Sequence, residues 1–368
     1  MGPEGRADAV AADPREIPAG RIMRAEVQRF AVPLRVPLAT AAGRVGRREG
    51  FLLRLADDAG RVGHGEASPA YWIGDEELAT TAAVVAGAPA LVGHALADLP
   101  AIVAAWGARS PAAACALDSA RLDLAARAAG VPLARLLRPA GDAWWADAGV
   151  PVAALLAEAA PDALAGETAR LVAAGYRTLK LKVGAGALAA DVARLAAVRA
   201  AAGPGVEVRL DANRAWSAAA ADAALAALAP YAPALVEEPL RSGDLPAWRG
   251  LRRRGVPLAR DESVRTVGDC ERLAAGTDVL VVKAARAGGP AAVAALAAAA
   301  RRHGLGVVVT DSIETRVGRA LALHLAAAFS APGVAVGLGG ARLLAAEPAG
   351  GPPAAAPLAI PRGPGLGI

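Results

Sequence analysis

An alternation of short β-rich runs with helix-forming runs, from residue 150 to residue 338, restricts the fold of this chain more than any other feature. Eight runs rich in Val and Leu recur at a spacing of roughly 22 to 29 residues, separated by Ala/Leu/Arg segments of about 10 to 15 residues. Eight strands that alternate with helices predict a (β/α) barrel, and a doubly wound open sheet is the alternative. No G-x-G-x-x-G turn follows an early strand, which disfavours the open sheet. The eight runs are residues 150–155, 178–183, 206–211, 234–238, 256–261, 278–283, 305–310 and 333–338.

The chain before this repeat has the pattern of a smaller α+β domain. Residues 22–65 alternate as β-strands do, with Asp58-Ala59-Gly60 as a hairpin turn, and helical segments follow until Gly130. The first 20 residues contain acids and prolines but no apolar core of a secretory signal. We therefore expect residues 1–20 to form a flexible tail.

Composition excludes several classes of protein. Charged residues make up 20% of the chain and hydrophobic residues 55%, which excludes a disordered chain, and no bounded apolar run predicts a membrane span. The net charge of +5 comes without a basic block and with only 3% aromatic residues, so we expect no nucleic-acid binding. Cys115 and Cys270 have no disulfide or metal spacing, which favours a cytoplasmic location. We expect a small-molecule partner, and the Ala-rich helices permit a homo-oligomer.

Lysine is rare in this sequence, and it occurs where predicted strands end. Of 40 Lys and Arg residues only three are lysine: Lys180 and Lys182 end the second strand, and Lys283 ends the sixth. The chemistry of (β/α) barrels takes place at these strand ends. An arginine does not lose its proton in a protein, whereas a lysine crowded by another cation does. Lys182, beside Lys180, is therefore a candidate base for removing a proton α to a carboxylate.

Acidic residues end the three strands that lie between these lysines in the chain. Asp211, Glu237 and Asp261 end the third, fourth and fifth strands, and three carboxylates on neighbouring strands favour Mg²⁺, with Mn²⁺ as an alternative. A divalent ion would stabilise the doubled negative charge of an enediolate. Two other interpretations stay open: Glu238 and Glu262 as the ligands or as their partners, and strand-end acids as helix caps or solvated loop residues.

Five motifs, in this order, resemble the enolase superfamily in its muconate-lactonizing-enzyme-like subgroup over about residues 20–345. They are Lys180-Leu181-Lys182, Asp211-Ala212-Asn213, Glu237-Glu238-Pro239, Asp261-Glu262-Ser263, and Lys283 with Gly288-Gly289 after it. The resemblance implies a modified TIM barrel, (β/α)7β, over residues 141–344. It also implies an α+β capping domain over residues 21–140, to which the segment 345–368 returns.

The same resemblance implies roles for the site residues. Mg²⁺ would be held by Asp211, Glu237 and Asp261, with Lys182 and Lys283 on opposite faces of the substrate. Lys180 would lower the pKa of Lys182 and stabilise the enediolate. Further contacts to the substrate or to the metal ligands are expected from Asn213, Glu262, Asp311, Ser312 and Glu314.

The stretch Thr310-Asp311-Ser312-Ile313-Glu314-Thr315-Arg316-Val317-Gly318 refines the resemblance, since it is similar to that of o-succinylbenzoate synthases. These enzymes dehydrate a succinylated hydroxycyclohexadiene carboxylate in menaquinone biosynthesis. That likeness implies that Lys182 removes the α proton and then assists departure of hydroxide, while Lys283 stays protonated. N-acylamino-acid racemases, dipeptide epimerases and muconate-type cycloisomerases are the alternatives. The Asp-x-Asp that dipeptide epimerases usually carry on the eighth strand is absent from residues 336–340, which disfavours a dipeptide substrate.

Two further expectations concern cationic side chains outside these motifs. The segment 40–48, with Arg44, Arg47 and Arg48, is expected to close over the site and meet a second substrate carboxylate, with solvent-exposed arginines as the alternative. His64 and His324 are predicted to be structural.

Overall fold

The structure, a computed structural model, describes residues 19–40, 43–74, 76–138, 149–345 and 357–368. Of the expected tail at residues 1–20, residues 1–18 lie outside the described residues. Within the described ranges the chain forms two sheets, one antiparallel with three strands and one parallel with seven.

The antiparallel unit comes first in the chain. Its elements are β1 (Ile22–Thr40), β2 (Gly43–Asp57), β3 (Val62–Ala67), α1 (Leu78–Val85), α2 (Leu99–Gly107), α3 (Pro111–Ala128) and α4 (Leu133–Leu137). The strand order is β1-β2-β3, and α3 packs closely on β3. Glycine allows this approach, because a Cβ on Gly65 would lie 1.9 Å from the carbonyl oxygen of Ala116 in α3. Ser110 caps α3 by accepting a hydrogen bond from the Ala113 amide.

The parallel sheet follows, and its strand order is the order along the chain. Its strands are β4 (Ala154–Leu155), β5 (Thr178–Lys182), β6 (Glu207–Asp211), β7 (Leu235–Glu237), β8 (Leu258–Arg260), β9 (Val279–Val282) and β10 (Gly306–Val309). Helices separate successive strands, and one more follows β10: α5 (Pro161–Ala173), α6 (Leu188–Ala202), α7 (Ala218–Leu228), α8 (Leu245–Leu251), α9 (Val267–Leu273), α10 (Ala284–Ala287), α11 (Pro290–Arg302) and α12 (Arg316–Phe329). The predicted alternation of strands and helices is confirmed.

The eighth predicted strand, residues 333–338, is reduced to isolated bridges that close the barrel. On one side Val336 exchanges hydrogen bonds with Pro151 and Ala153, just before β4. On the other side the Gly337 amide donates to the carbonyl of Val309 at the end of β10. Glycine suits this position, since a Cβ there would lie 2.6 Å from a methyl group of Thr310. The predicted architecture, a modified TIM barrel with an antiparallel α+β unit, is confirmed.

Successive side chains of a strand point to opposite sides of the sheet, so one set packs in the core and the other reaches the candidate site. In β5, Leu179 and Leu181 are fully buried in a cluster shared with the flanking helices. Lys180 and Lys182 alternate with these leucines and point to the opposite side of the sheet. The leucines of β5 are therefore buried in the core, and its lysines lie at the mouth of the barrel.

Buried carboxylates of the antiparallel unit cap two helices of the barrel. Glu66 accepts hydrogen bonds from the amides of Thr315 and Gly318, at the start of α12, at 3.0 and 2.9 Å. Asp118 accepts one from the amide of Ala291, at the start of α11, at 2.7 Å. Both place negative charge at a positive helix end, and they join the two units.

The C-terminal residues lie between the two units. Leu358 pairs with Val150, and the Leu366 amide donates to the Asp123 carboxylate of α3 at 2.8 Å. The part of the predicted returning segment that is described, residues 357–368, thus contacts the antiparallel unit; the domain boundaries themselves stay a prediction.

Both cysteines, Cys115 and Cys270, are buried and form no disulfide. No helix in the described ranges combines the length and the apolar character that crossing a bilayer requires. A cytoplasmic location, the lack of nucleic-acid binding and a homo-oligomer stay predictions.

Candidate active site

A pocket opens at the carboxyl ends of the parallel strands, where nine of the eleven predicted site residues meet. The other two, Glu237 and Glu314, are buried behind its wall. Lys180 and Lys182 reach it from β5, and Lys283 reaches it from the end of β9. These strands are four positions apart in an eight-position barrel, so the two sets of amines lie across the pocket from each other.

The Lys180 ammonium joins two of the predicted metal ligands. Its Nζ lies 2.8 Å from Asp211 Oδ2 and 2.8 Å from Glu237 Oε2. Burial disfavours the charged amine, but the two carboxylates outweigh burial and raise the pKa of Lys180 above its usual value. Lys180 is therefore a fixed positive charge. Its neighbour Lys182 is half-exposed and shares Asp211 Oδ2 with it, at 3.3 Å.

Asn213 orients the Lys182 amine. Its side-chain oxygen accepts a hydrogen bond from Lys182 Nζ, and its Nδ2 donates to Glu262 Oε1 at 3.0 Å. The residue has a φ of 42°, in the left-handed region that asparagine tolerates better than most residues. The single asparagine of the chain thus meets a backbone and a side-chain requirement at once.

Asp261 lies between cations on the other side of the pocket. Its Oδ2 accepts a short hydrogen bond from Lys283, and its Oδ1 accepts one from Arg286 at 3.0 Å. Burial opposes the charged carboxylate, but Lys283 and Arg286 hold its pKa below the usual value. Arg286 also donates to the carbonyl of Glu262, so it fixes the turn that follows β8.

The three predicted ligands have the chemistry of a divalent-cation site. Among the described residues no three acidic, histidine or cysteine side chains are close enough to hold an ion, and lysine amines pair with all three of these carboxylates. Nevertheless Glu237 Oε1 is buried without a hydrogen-bond partner. Burial and the neighbouring Asp211 charge raise the pKa of Glu237 to about 8. A buried carboxylate oxygen that has no partner and lies among other carboxylates fits a hard cation.

Glu238 does not line the pocket, and it holds the turn after β8 in place. Its Oε1 accepts hydrogen bonds from the amides of Asp261 and Ser263 and from the Ser263 hydroxyl. It has a φ of 41°, and Ile313, on the opposite wall, has a φ of 63°. Such backbone costs on the order of 1–3 kcal/mol per residue and is typical of functional sites.

Of the three predicted contact residues after β10, two line the pocket and one does not. Asp311 and Ser312 line the pocket, whereas Glu314 accepts a hydrogen bond from the Ser312 amide and holds the turn. Burial, followed by the charges of Asp311 and Glu66, raises the pKa of Glu314 to about 8.

Arg48 does not reach the pocket, which corrects the expectation for the segment 40–48. Its guanidinium is buried and donates to the carbonyls of Ile313, Ser68 and Pro69. A group held by the protein's own backbone is unavailable to a substrate carboxylate. Arg44 and Arg47 are exposed, and residues 41–42 lie outside the described residues.

Several residues of the site carry no sequence signal of their own. Trp72 and Ile73, from the segment after β3, and Leu343, from the segment after the closing bridges, supply apolar walls. They come from parts of the chain without a motif. Arg286 is one arginine among many, although its position three residues after Lys283 could have drawn attention.

Two family models match the chain. Residues 23–138 match the mandelate racemase / muconate lactonizing enzyme N-terminal domain, and residues 163–368 match the enolase C-terminal domain-like model.

Individual relatives include epimerases. The L-Ala-D/L-Glu epimerase of Bacillus subtilis is 31% identical, over 83% of this chain and 85% of that protein. The crystal structure of a dipeptide epimerase from Enterococcus faecalis, complexed with Mg and the dipeptide L-Leu-L-Tyr, has a TM-score of 0.85 and 29% identity over 94% of this chain and 99% of that one. The o-succinylbenzoate synthase of Thermobifida fusca is 40% identical, but over 54% of this chain and 62% of that protein. The chain belongs to the enolase superfamily, in its muconate-lactonizing-enzyme-like subgroup of enzymes.

Proposed function

We propose that the chain is a Mg²⁺-dependent epimerase that inverts a carbon α to a carboxylate, in a dipeptide-like substrate. The observation that carries this proposal is the pair of lysine amines on strands four apart in the barrel, facing one pocket. Inversion needs one group to remove a proton from one face of the carbon and another to return a proton to the other face. The similarity to epimerases over most of the chain favours this alternative over the dehydratase that the sequence stretch 310–318 suggested.

Lys182 and Lys283 are the two proton carriers in this proposal. For one stereoisomer the neutral Lys182 amine takes the α proton, and the Lys283 ammonium delivers a proton to the opposite face. For the other stereoisomer the roles reverse. Asn213, which accepts a hydrogen bond from Lys182, would hold the amine in position.

Positive charge at the site stabilises the negative charge that develops on the substrate carboxylate. Lys180, a fixed cation held by Asp211 and Glu237, supplies part of it. Asp211, Glu237 and Asp261 would hold Mg²⁺, or Mn²⁺ as an alternative, which would offset the second negative charge of the enediolate.

The walls of the pocket indicate the substrate class. Trp72, Ile73 and Leu343 make one side apolar, while the charged groups gather at the strand ends. A small carboxylate with an apolar side chain matches this division.

A dehydratase of the o-succinylbenzoate synthase type is the second candidate. The stretch 310–318 and the 40% identity to the Thermobifida fusca enzyme support it. In that reaction Lys182 would act on both steps and Lys283 would stay protonated, so only one lysine would exchange protons.

The test is exchange of the α proton in deuterated water. The purified protein is incubated with Mg²⁺ and L-Ala-L-Leu, deuterium at the α carbon of the Leu residue is followed by NMR, and the appearance of D-Leu by chiral chromatography. We expect both signals, and we expect Lys182→Arg and Lys283→Arg each to reduce inversion by about 10²- to 10⁴-fold, because arginine keeps charge but does not transfer its proton.

A matched control is Arg302→Lys, at an exposed ion pair with Glu271, which should leave the exchange rate unchanged. Inversion that survives Lys182→Arg would refute the two-base mechanism. Turnover of the succinylated cyclohexadiene substrate, with no exchange into the dipeptide, would replace the epimerase by the dehydratase.

A further inference from the structure

The Asp311 carboxylate lines the pocket, and neither the proposed proton transfer nor the proposed metal binding uses it. It follows β10, which pairs with β9, the strand that comes directly before Lys283. Its two hydrogen bonds both come from backbone amides, from Ile313 to Oδ1 at 3.2 Å and from Gly340 to Oδ2 at 3.0 Å. No lysine, arginine or histidine among the described residues forms an ion pair with it.

Burial and the surrounding groups act in opposite directions on this carboxylate. Burial raises the pKa of Asp311 to about 6, although the backbone hydrogen bonds and the more distant charges of Arg319 and Lys283 lower it. A carboxylate that is half-buried on a pocket wall and has no directly paired cation is stabilised by a cation that a ligand brings.

A glycine of the closing segment, Gly340, leaves room for the Asp311 carboxylate. A Cβ on Gly340 would lie 2.2 Å from Asp311 Oδ1, so any side chain there would displace the carboxylate. Gly337 and Gly339 line the same wall. Residues 336–340 of the closing segment include no acidic residue, and Asp311, after the neighbouring strand β10, supplies the carboxylate on this side of the pocket.

We infer that Asp311 binds the free α-ammonium group of the substrate. The inference rests on the proposed function and narrows it, since it selects dipeptides with an unmodified amino terminus over N-acylated amino acids. The amide hydrogen bonds from Ile313 and Gly340 fix the position of the carboxylate. The carboxylate therefore needs little reorganisation when the ammonium group binds, and it determines specificity for that group.

The experiment compares binding of L-Ala-L-Leu with binding of N-acetyl-L-Ala-L-Leu by calorimetry, in the presence of Mg²⁺. We expect the protein to prefer the free amine by about 10- to 100-fold, the range for a hydrogen bond between charged groups. Asp311→Asn should reduce this preference to less than about threefold, with the affinity for the acetylated peptide unchanged.

Gly340→Ala is the second variant, because it keeps the charge but displaces the carboxylate, and it should abolish the preference in the same way. Asp222→Asn, at an exposed ion pair with Arg254, should leave the preference intact. Thermal melting of each variant checks that it is folded.

Three outcomes overturn the inference: no preference for the free amine, equal weakening of both peptides by Asp311→Asn, or no binding of either peptide. Exchange of the substrate α proton in deuterated water tests the proposed function independently of this inference. Preference for the free amine without exchange would refute the epimerase and leave the Asp311 assignment standing, and exchange without preference would refute the assignment alone.

Discussion

His324, in α12, contacts α4 and the C-terminal residues. Because this histidine is buried, we predict that the free energy of unfolding depends on pH. Its ring is fully buried; Nδ1 accepts a hydrogen bond from the Ala134 amide of α4 at 3.1 Å, and Nε2 lies 3.3 Å from the Leu366 carbonyl. The ring must therefore be neutral, with its proton on Nε2. Replacing it by His324→Gln removes the titration and keeps a side chain of similar size.

The magnitude follows from the pKa. Burial, against weaker opposing effects of the Leu366 carbonyl and Asp123, lowers the pKa of His324 from 6.5 to about 4. A lowered pKa in the folded state means that stability is complete above pH 6.5 and is lost as pH falls toward 4. A difference of about 2.5 pKa units corresponds to a loss of roughly 3 kcal/mol in the free energy of unfolding between pH 7 and pH 4.

Urea denaturation at several values between pH 7 and pH 4 measures this effect. The other titrating groups contribute equally to both proteins, so the difference between the native protein and His324→Gln isolates the imidazole. We expect that difference to shrink by roughly 3 kcal/mol as pH falls from 7 to 4. His303→Gln, at an exposed position, is the control and should show the same pH dependence as the native protein. An unchanged difference across this range would refute the neutral buried imidazole.

Three other changes test packing. Gly65→Ala brings a Cβ to 1.9 Å from the Ala116 carbonyl and should lower the free energy of unfolding by about 1–3 kcal/mol in urea, and a neutral result would contradict the close approach of α3. Gly166→Ala, inside α5 and near only the flexible end of Arg170 at 3.6 Å, should raise stability by about 0.5–1 kcal/mol in thermal melts, whereas a loss would mean a hidden clash. Arg48→Lys leaves a buried carbonyl unpaired and should lower stability by about 1–3 kcal/mol; hydrogen exchange should rise in peptides over residues 66–74, and unaltered exchange there would argue against its role in holding that segment.

Local patterns in the sequence were sufficient for the barrel and for the residues at its mouth. The lysines of β5 alternate with buried leucines, so their common direction follows from strand geometry alone. The predicted eighth strand was too long, because Gly337 and its neighbours are held by bridges to both sheet edges rather than by a ladder. Arg48 was misjudged because its position in the chain is that of an exposed hairpin, while its partners, Ile313 among them, are distant in sequence.

Strand and helix periods are local properties of the backbone, so the order of residues along the chain was enough to predict the fold and the candidate amines and carboxylates at the strand ends. Which of these groups meet depends on how the chain packs in three dimensions. Lys182 and Lys283 face each other because the barrel closes, and Asp311 contacts Gly340 because the closing segment lies beside β10. Such pairings join residues far apart in the chain, and their geometry depends on closure and packing that no local period encodes.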